Sequence, residues 1–177
     1  MIFRNPHLPR GFIVVKQQNN KLPQTSNTSM KLSEKQQELA LEIVDETVDF
    51  YAEDPSRRAA DPVDNSCCYR TEDGRRCAFG RVMKEDVLDT VDAPLTMAMK
   101  ISRLVTHFAT KKEGTGISHD DLLQKPYRGL PLHFWRAVQF LHDMESNWGV
   151  EGLTECGEKE ARHLRRRIKQ NTLHLDF

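Results

Sequence analysis

Apolar residues recur at helical spacing in four separate stretches of this chain, and that period decides the fold class before any single residue does. The first stretch begins behind Ser33 and Gln36. Their spacing is that of a capping box, in which each side chain satisfies an open backbone N–H at a helix start. Leu39, Ile43 and Phe50, with Ala40, Val44, Thr47 and Tyr51 beside them, then line one face of a helix predicted over 34–52. Its other face carries Glu34, Glu38, Glu42, Asp45, Glu46, Asp49 and Glu53, which suits an acidic docking face or a solvated one. Asp54-Pro55 ends the helix, because a residue before proline is pushed out of the α region. A second stripe, Leu95, Ala98, Ile101, Leu104, Val105 and Phe108, follows Pro94. A third, Leu132, Phe134, Trp135, Ala137, Val138, Phe140, Leu141 and Met144, follows Pro131 and runs nearly all the way round, which predicts a central helix. The fourth carries Ala161, Leu164 and Ile168 behind Gly152-Leu153-Thr154. Shorter helical pieces are expected at 84–90 and behind the cap-like pair Ser118 and Asp121.

One stretch, 67–80, departs from helical pattern. Asp73-Gly74 tolerates positive φ at both centres of a type I′ turn, so a hairpin with a two-residue loop is expected. That register pairs Glu72 with Arg75, Arg70 with Cys77 and Cys68 with Phe79, and sets Cys67 on the opposite face from Cys68 and Cys77. A lone two-stranded hairpin is marginal in water, so it must lie against helices. The expected architecture is mostly α, α+β in a strict scheme, with about four main helices packed around one short β-hairpin. Residues 31–177 are expected to form a single compact domain. Residues 1–30, poor in periodicity and rich in Asn, Gln, Pro, Ser and Thr, are expected to be a disordered or loosely attached tail, with Met30 an alternative start.

Charge narrows the function classes. The 26 Lys and Arg cancel the 26 Asp and Glu, so no global field announces nucleic acid or an anionic membrane, and any such contact must be local. No apolar run approaches the ~18 residues that span a bilayer. The run Gly11-Phe12-Ile13-Val14-Val15 falls short of a signal-peptide core of about 7–15 residues. Four unevenly spaced cysteines do not make a secreted disulfide framework. A cytoplasmic protein with reduced thiols is expected, and a membrane partner is not.

Three constellations could carry chemistry. Zinc needs four ligands, usually paired at short spacing, and here Cys67 or Cys68 with Cys77 would have to recruit two of Cys156, His107, His119, His133, His142 and His163. No C-x-x-C occurs, so no cofactor is expected, with zinc or another divalent metal at Cys68 and Cys77 as the alternative. A Cys68–Cys77 disulfide fits across a hairpin but not a reducing compartment. His107 and then His142-Asp143 resemble the order of ligands in helical metal-dependent phosphohydrolases of the HD type. Two imidazoles and a carboxylate on neighbouring helices would hold a divalent ion and activate water against a phosphoester. The third constellation is basic. Arg165, Arg166 and Arg167, with Arg162 and Lys169, could neutralise phosphates, and Arg70, Arg75 and Arg76 form a second basic rim.

Cys68, Tyr69 and Arg70, then Asp73-Gly74, Cys77-Ala78 and Gly80, and later Leu141-His142-Asp143 and Trp148, resemble a group of short uncharacterised bacterial and phage proteins. These share a Cys-x-Tyr…Gly-x-x-Cys-Ala-x-Gly hairpin and a downstream Leu-His-Asp helix. The resemblance implies a compact fold and a phage or mobile-element origin, and no mechanism. The leading expectation is a small non-enzymatic protein that binds a macromolecular partner, such as a phage-encoded modulator of host machinery. A protein partner is expected to meet Arg70, Arg75, Arg76, Arg165, Arg166 and Arg167. The alternatives are an HD-type phosphohydrolase or nuclease using His107, His142 and Asp143, and a nucleic-acid-binding module using the basic last helix.

Overall fold

Ser33 and Gln36 form the reciprocal capping box that their spacing predicts, and α1 runs behind it from Glu34 to Glu53. The computed structural model describes residues 31–59, 68–91, 100–111 and 117–173, with 109–111 described by backbone alone. On α1, Ala40, Ile43, Val44, Thr47, Val48 and Tyr51 are buried, and the acidic residues face out. Asp54 stops the helix and caps a 3₁₀ turn at Pro55–Arg57, its Oδ1 accepting the Ser56 N–H at 3.0 Å. The expectation of a tail at 1–30 lies outside the described residues.

Two short helices follow, α2 at Ala78–Val82 and α3 at Glu85–Val91, and then α4 at Ile101–Lys111. Ile101 and Leu104 of the predicted stripe are buried on α4; Pro94, Leu95 and Ala98 lie outside the described residues. Ser118 and Asp121 do cap a turn, the 3₁₀ piece His119–Leu122, with Asp121 Oδ2 accepting the Ser118 N–H at 2.9 Å. That piece is sewn to the α2–α3 corner. Lys84 N donates to Leu122 O at 3.0 Å, and Gln124 N to Val82 O at 3.0 Å.

Helix α5, Leu132–Asp143, occupies the centre, as its composition predicts. Phe134, Trp135, Ala137, Val138 and Leu141 are buried, and Phe79 of α2 meets Trp135 edge to face with ring centroids 5.6 Å apart. It is not apolar all round, however. Arg136, Phe140 and Asp143 face solvent. The carbonyls at its end find side-chain donors: Leu141 O takes Asn147 Nδ2 at 3.0 Å and Trp148 Nε1 at 3.1 Å.

The chain is thus mostly α, with one short antiparallel hairpin among the described residues. That hairpin is not at 67–80. It joins β1, Trp148–Gly149, to β2, Gly152–Leu153, with Trp148 opposite Leu153 and Gly149 opposite Gly152. In the expected place, Arg70 faces Arg76 in a single bridge, one residue off the predicted register, and Cys77 leaves directly into α2. The reason is Asp73. Gly74 takes φ +87°, but Asp73 stays at negative φ, and its carboxylate accepts from Thr71 Oγ1 and Arg75 Nε. That closes a wider loop from Thr71 to Arg75 instead of a two-residue turn. Cys67 lies outside the described residues.

Helix α6, Glu155–Gln170, is capped by Thr154, whose Oγ1 accepts the Gly157 N–H at 3.1 Å, and buries Ala161, Leu164 and Ile168 as predicted. It runs antiparallel to α1. Asn171, left-handed at φ 57°, takes the Leu32 N–H on Oδ1 at 2.6 Å and returns its amide to Leu32 O at 2.7 Å. At the other end, Gly152 abuts the carbonyl of Ala52. Among the described residues no helix is long and apolar enough to cross a membrane.

Candidate functional site

The end of α5 gathers most of the buried polar groups. Gln139, His142 and Asn147 are all buried there. Gln139 Oε1 accepts the Phe79 N–H at 2.9 Å, while its amide donates to Asp143 Oδ1 at 2.6 Å. The same Oδ1 lies 2.9 Å from His142 Nδ1, so that nitrogen carries the proton of the neutral ring, a carboxylate being able only to accept. Tyr51 packs on the imidazole with centroids 4.8 Å apart and sends its hydroxyl to Arg76 O at 2.7 Å. Arg58 donates from Nε and Nη2 to His142 O at 3.1 and 2.8 Å, and lies over the Trp148 ring. This knot ties the end of α5 to α1, to the residues after it and to the 68–77 turn. Burial holds the His142 pKa below its ordinary value, against the opposing pull of the Asp143 carboxylate.

His142 and Asp143 are therefore together, but the predicted metal set is not. His107 is half-buried on α4 with its ring edge-on to Phe108, and among the described residues no three His, Cys, Asp or Glu side chains gather as metal ligands. The imidazole of His142 is turned inward, 1 % exposed, with Nε2 unpartnered in the core. The cysteines also have another use. Cys68 and Cys77 are buried thiols not bridged to each other, and Cys77 caps α2, its Sγ accepting the Gly80 N–H at 3.3 Å. Cys156 is exposed in the first turn of α6.

The arginines predicted to meet a partner are mostly occupied within the fold. Arg76 makes a two-pronged pair with Glu85 at 2.7 and 2.9 Å, Arg70 meets Asp89 at 2.8 Å, and Arg75 meets Asp73 at 2.8 Å. Hydrogen bonds from Thr71 and Arg75 push the Asp73 pKa down to about 2. Arg165 bonds Asp45 of α1 at 2.6 Å, and Arg167 reaches the carbonyls of Thr172 and Leu173. Arg166 leans on His163 at 2.9 Å. Arg70, Arg76 and Arg165 are thus paired with acidic residues distant in sequence, whereas Arg75 is paired within its own turn and Arg166 and Arg167 meet a histidine and backbone carbonyls.

The end of α5 and the hairpin that follows it also form an exposed corner. The exposed large apolar side chains among the described residues are Phe140 at 51 %, Met144 at 41 % and Val150 at 97 %. Phe140 and Met144 stand one turn apart, and Val150 is at the hairpin tip. Elsewhere, a crevice of about 270 Å³ lies between Leu32, Gln36, His119, Asp120, Leu130 and Pro131. Its polar groups bond one another: His119 Nε2 meets Leu130 O at 2.6 Å, and Asp120 accepts the Gly129 N–H.

No protein-family model, curated protein or solved structure matches the chain. The chain is a mostly α protein whose central helix ends in a buried polar knot beside an exposed apolar corner.

Proposed function

We propose that this is a non-enzymatic binding protein that acts on a macromolecular partner, and that the partner is a protein. The observation that carries the reading is the corner. Large apolar side chains left in water at adjacent helical positions are worth little to the fold and much to an interface, where their burial contributes about 25 cal/mol per Å². The knot beneath serves that role by fixing the end of α5, so that Phe140 and Met144 sit on a rigid surface. Arg70 and Arg76 are paired to α3 and Arg165 to α1, which favours protein over nucleic acid as the partner. Buried thiols at Cys68 and Cys77 suit a reducing cytoplasm. The resemblance to short phage and bacterial proteins suits a modulator of host machinery.

The test is photo-crosslinking in cells from position 150, with the captured protein identified, purified and titrated against the whole chain. Phe140→Ser with Met144→Ser should abolish that binding. Arg165→Ala with Arg166→Ala should leave it intact. The reverse pattern would overturn the reading in favour of a basic-face interaction.

A further inference from the structure

The corner has a charge as well as an apolar surface. From Asp143 to Glu155 the chain carries Asp143, Glu145, Glu151 and Glu155 and not one Lys, Arg or His. Asp143 Oδ1 is taken by Gln139 and His142, and Glu155 pairs with Lys159 at 2.7 Å. The side chains of Glu145 and Glu151 are exposed and have no partner among the described residues. Two cations that bear on the end of α5 are already engaged. Arg58 is held by the His142 carbonyl and the Trp148 ring, and Arg136, one turn before Phe140, has an interaction of its own.

We infer that the corner takes a cationic amphipathic helix of a protein partner, its apolar stripe against Phe140 and Met144 and its Lys or Arg side chains against Glu145 and Glu151. This rests on the reading of the corner as the contact surface. Phe140 and Met144 form one ridge of the i, i+4 row, about 6 Å long, which is the shape that enters the groove of a second helix. The unpaired carboxylates set the sign. They repel an acidic helix and attract a basic one, and within a Debye length of about 10 Å at 0.1 M salt their field still reaches the incoming chain. The outward face of α1 is also acidic, with Glu34, Glu38, Glu42 and Asp49, but offers no large apolar side chain to seat a helix.

The probes are synthetic Leu/Lys and Leu/Glu peptides of about four helical turns, with identical apolar stripes, titrated against the whole chain by fluorescence anisotropy. The Leu/Lys peptide should bind at least about ten-fold tighter than the Leu/Glu peptide, and weaken several-fold as salt rises from about 50 to about 300 mM. Phe140→Ser with Met144→Ser should remove about ten-fold of that affinity, and Glu145→Gln with Glu151→Gln should flatten its salt dependence. Equal binding of the two peptides overturns the inference, as does loss of binding through Glu38→Gln with Glu42→Gln. If neither peptide binds while the Phe140 and Met144 variant still loses its crosslinked partner, the corner reading stands and this partner chemistry falls. If that variant keeps its crosslinked partner, the corner reading itself falls.

Discussion

A Cβ placed on Gly80 would stand 2.0 Å from the carbonyl oxygen of Tyr69, so the backbone of α2 touches the preceding turn with no room for a side chain. The arrangement explains why Cys77, Ala78 and Gly80 stand together. Cys77 caps the helix, Ala78 and Phe79 enter the core, and Gly80 lets the turn close over them.

Gly80→Ala should therefore destabilise the protein although it raises helix propensity. Propensity favours Ala by about 1 kcal/mol, whereas a contact this short against backbone must displace the turn, at about 3 kcal/mol. The net loss of about 2 kcal/mol would appear as a lower midpoint in urea unfolding. An unchanged or higher midpoint would show that the turn yields freely.

Cys77 is expected to behave as a cap, not a ligand. Cys77→Ala leaves the Gly80 N–H without its acceptor inside the core and should cost about 1–2 kcal/mol, while Cys77→Ser keeps an acceptor there and should lose less. Treatment with a chelator should leave the melting temperature of the whole protein unchanged. A drop on chelation, restored by zinc, would return Cys77 to the metal reading.

The helices were legible because their signals are local: the box at Ser33 and Gln36, the proline stops, and the apolar rows of α1, α5 and α6. The hairpin was misplaced because the Asp73-Gly74 pair specifies a turn but not its width, which the bonds from Thr71 and Arg75 to the Asp73 carboxylate decide. The true hairpin has two residues per strand, too few for alternation to show. Phe140 and Met144 belong to the same apolar stripe as the buried residues of α5; a 3.6-residue period marks a stripe but does not say which turns another element covers. His142 and Asp143 are neighbours in sequence, yet the inward orientation of the His142 ring depends on Tyr51 and Arg58, far away in sequence. The same holds for Arg165, whose partner Asp45 lies on the antiparallel neighbour.

The two-pronged Arg76–Glu85 pair is well aligned but wet, Glu85 keeping 61 % of its side-chain surface in water. A double-mutant cycle of Arg76→Ala and Glu85→Ala should give a coupling below about 1 kcal/mol, shrinking further in high salt. Its larger effect is on charge, since Glu85→Ala uncovers the basic rim at Arg70 and Arg76. That variant should bind a generic DNA duplex more tightly than the parent does, in a salt-sensitive way. A coupling of several kcal/mol would instead mark the pair as a structural keystone.

His142 should make stability fall on mild acidification. Its imidazole is 1 % exposed, and burial lowers its pKa in the fold; Asp143 opposes that through Nδ1, and Arg58 adds to it from the carbonyl side. With the folded value below the unfolded value of about 6.5, the unfolded chain binds the proton first between the two values. Stability is then complete above about pH 6.5 and declines as pH falls towards the folded value, by at most about 1.4 kcal/mol per pH unit for one proton. The carboxylates held low, Asp54 by Ser56 and Asp73 by Thr71 and Arg75, lose their contribution in a separate, more acidic range. Urea midpoints measured from pH 8 to pH 5 should show the slope in the parent and a flatter line in His142→Leu, which has no ring to protonate. Parallel lines for the two proteins would remove His142 as the source.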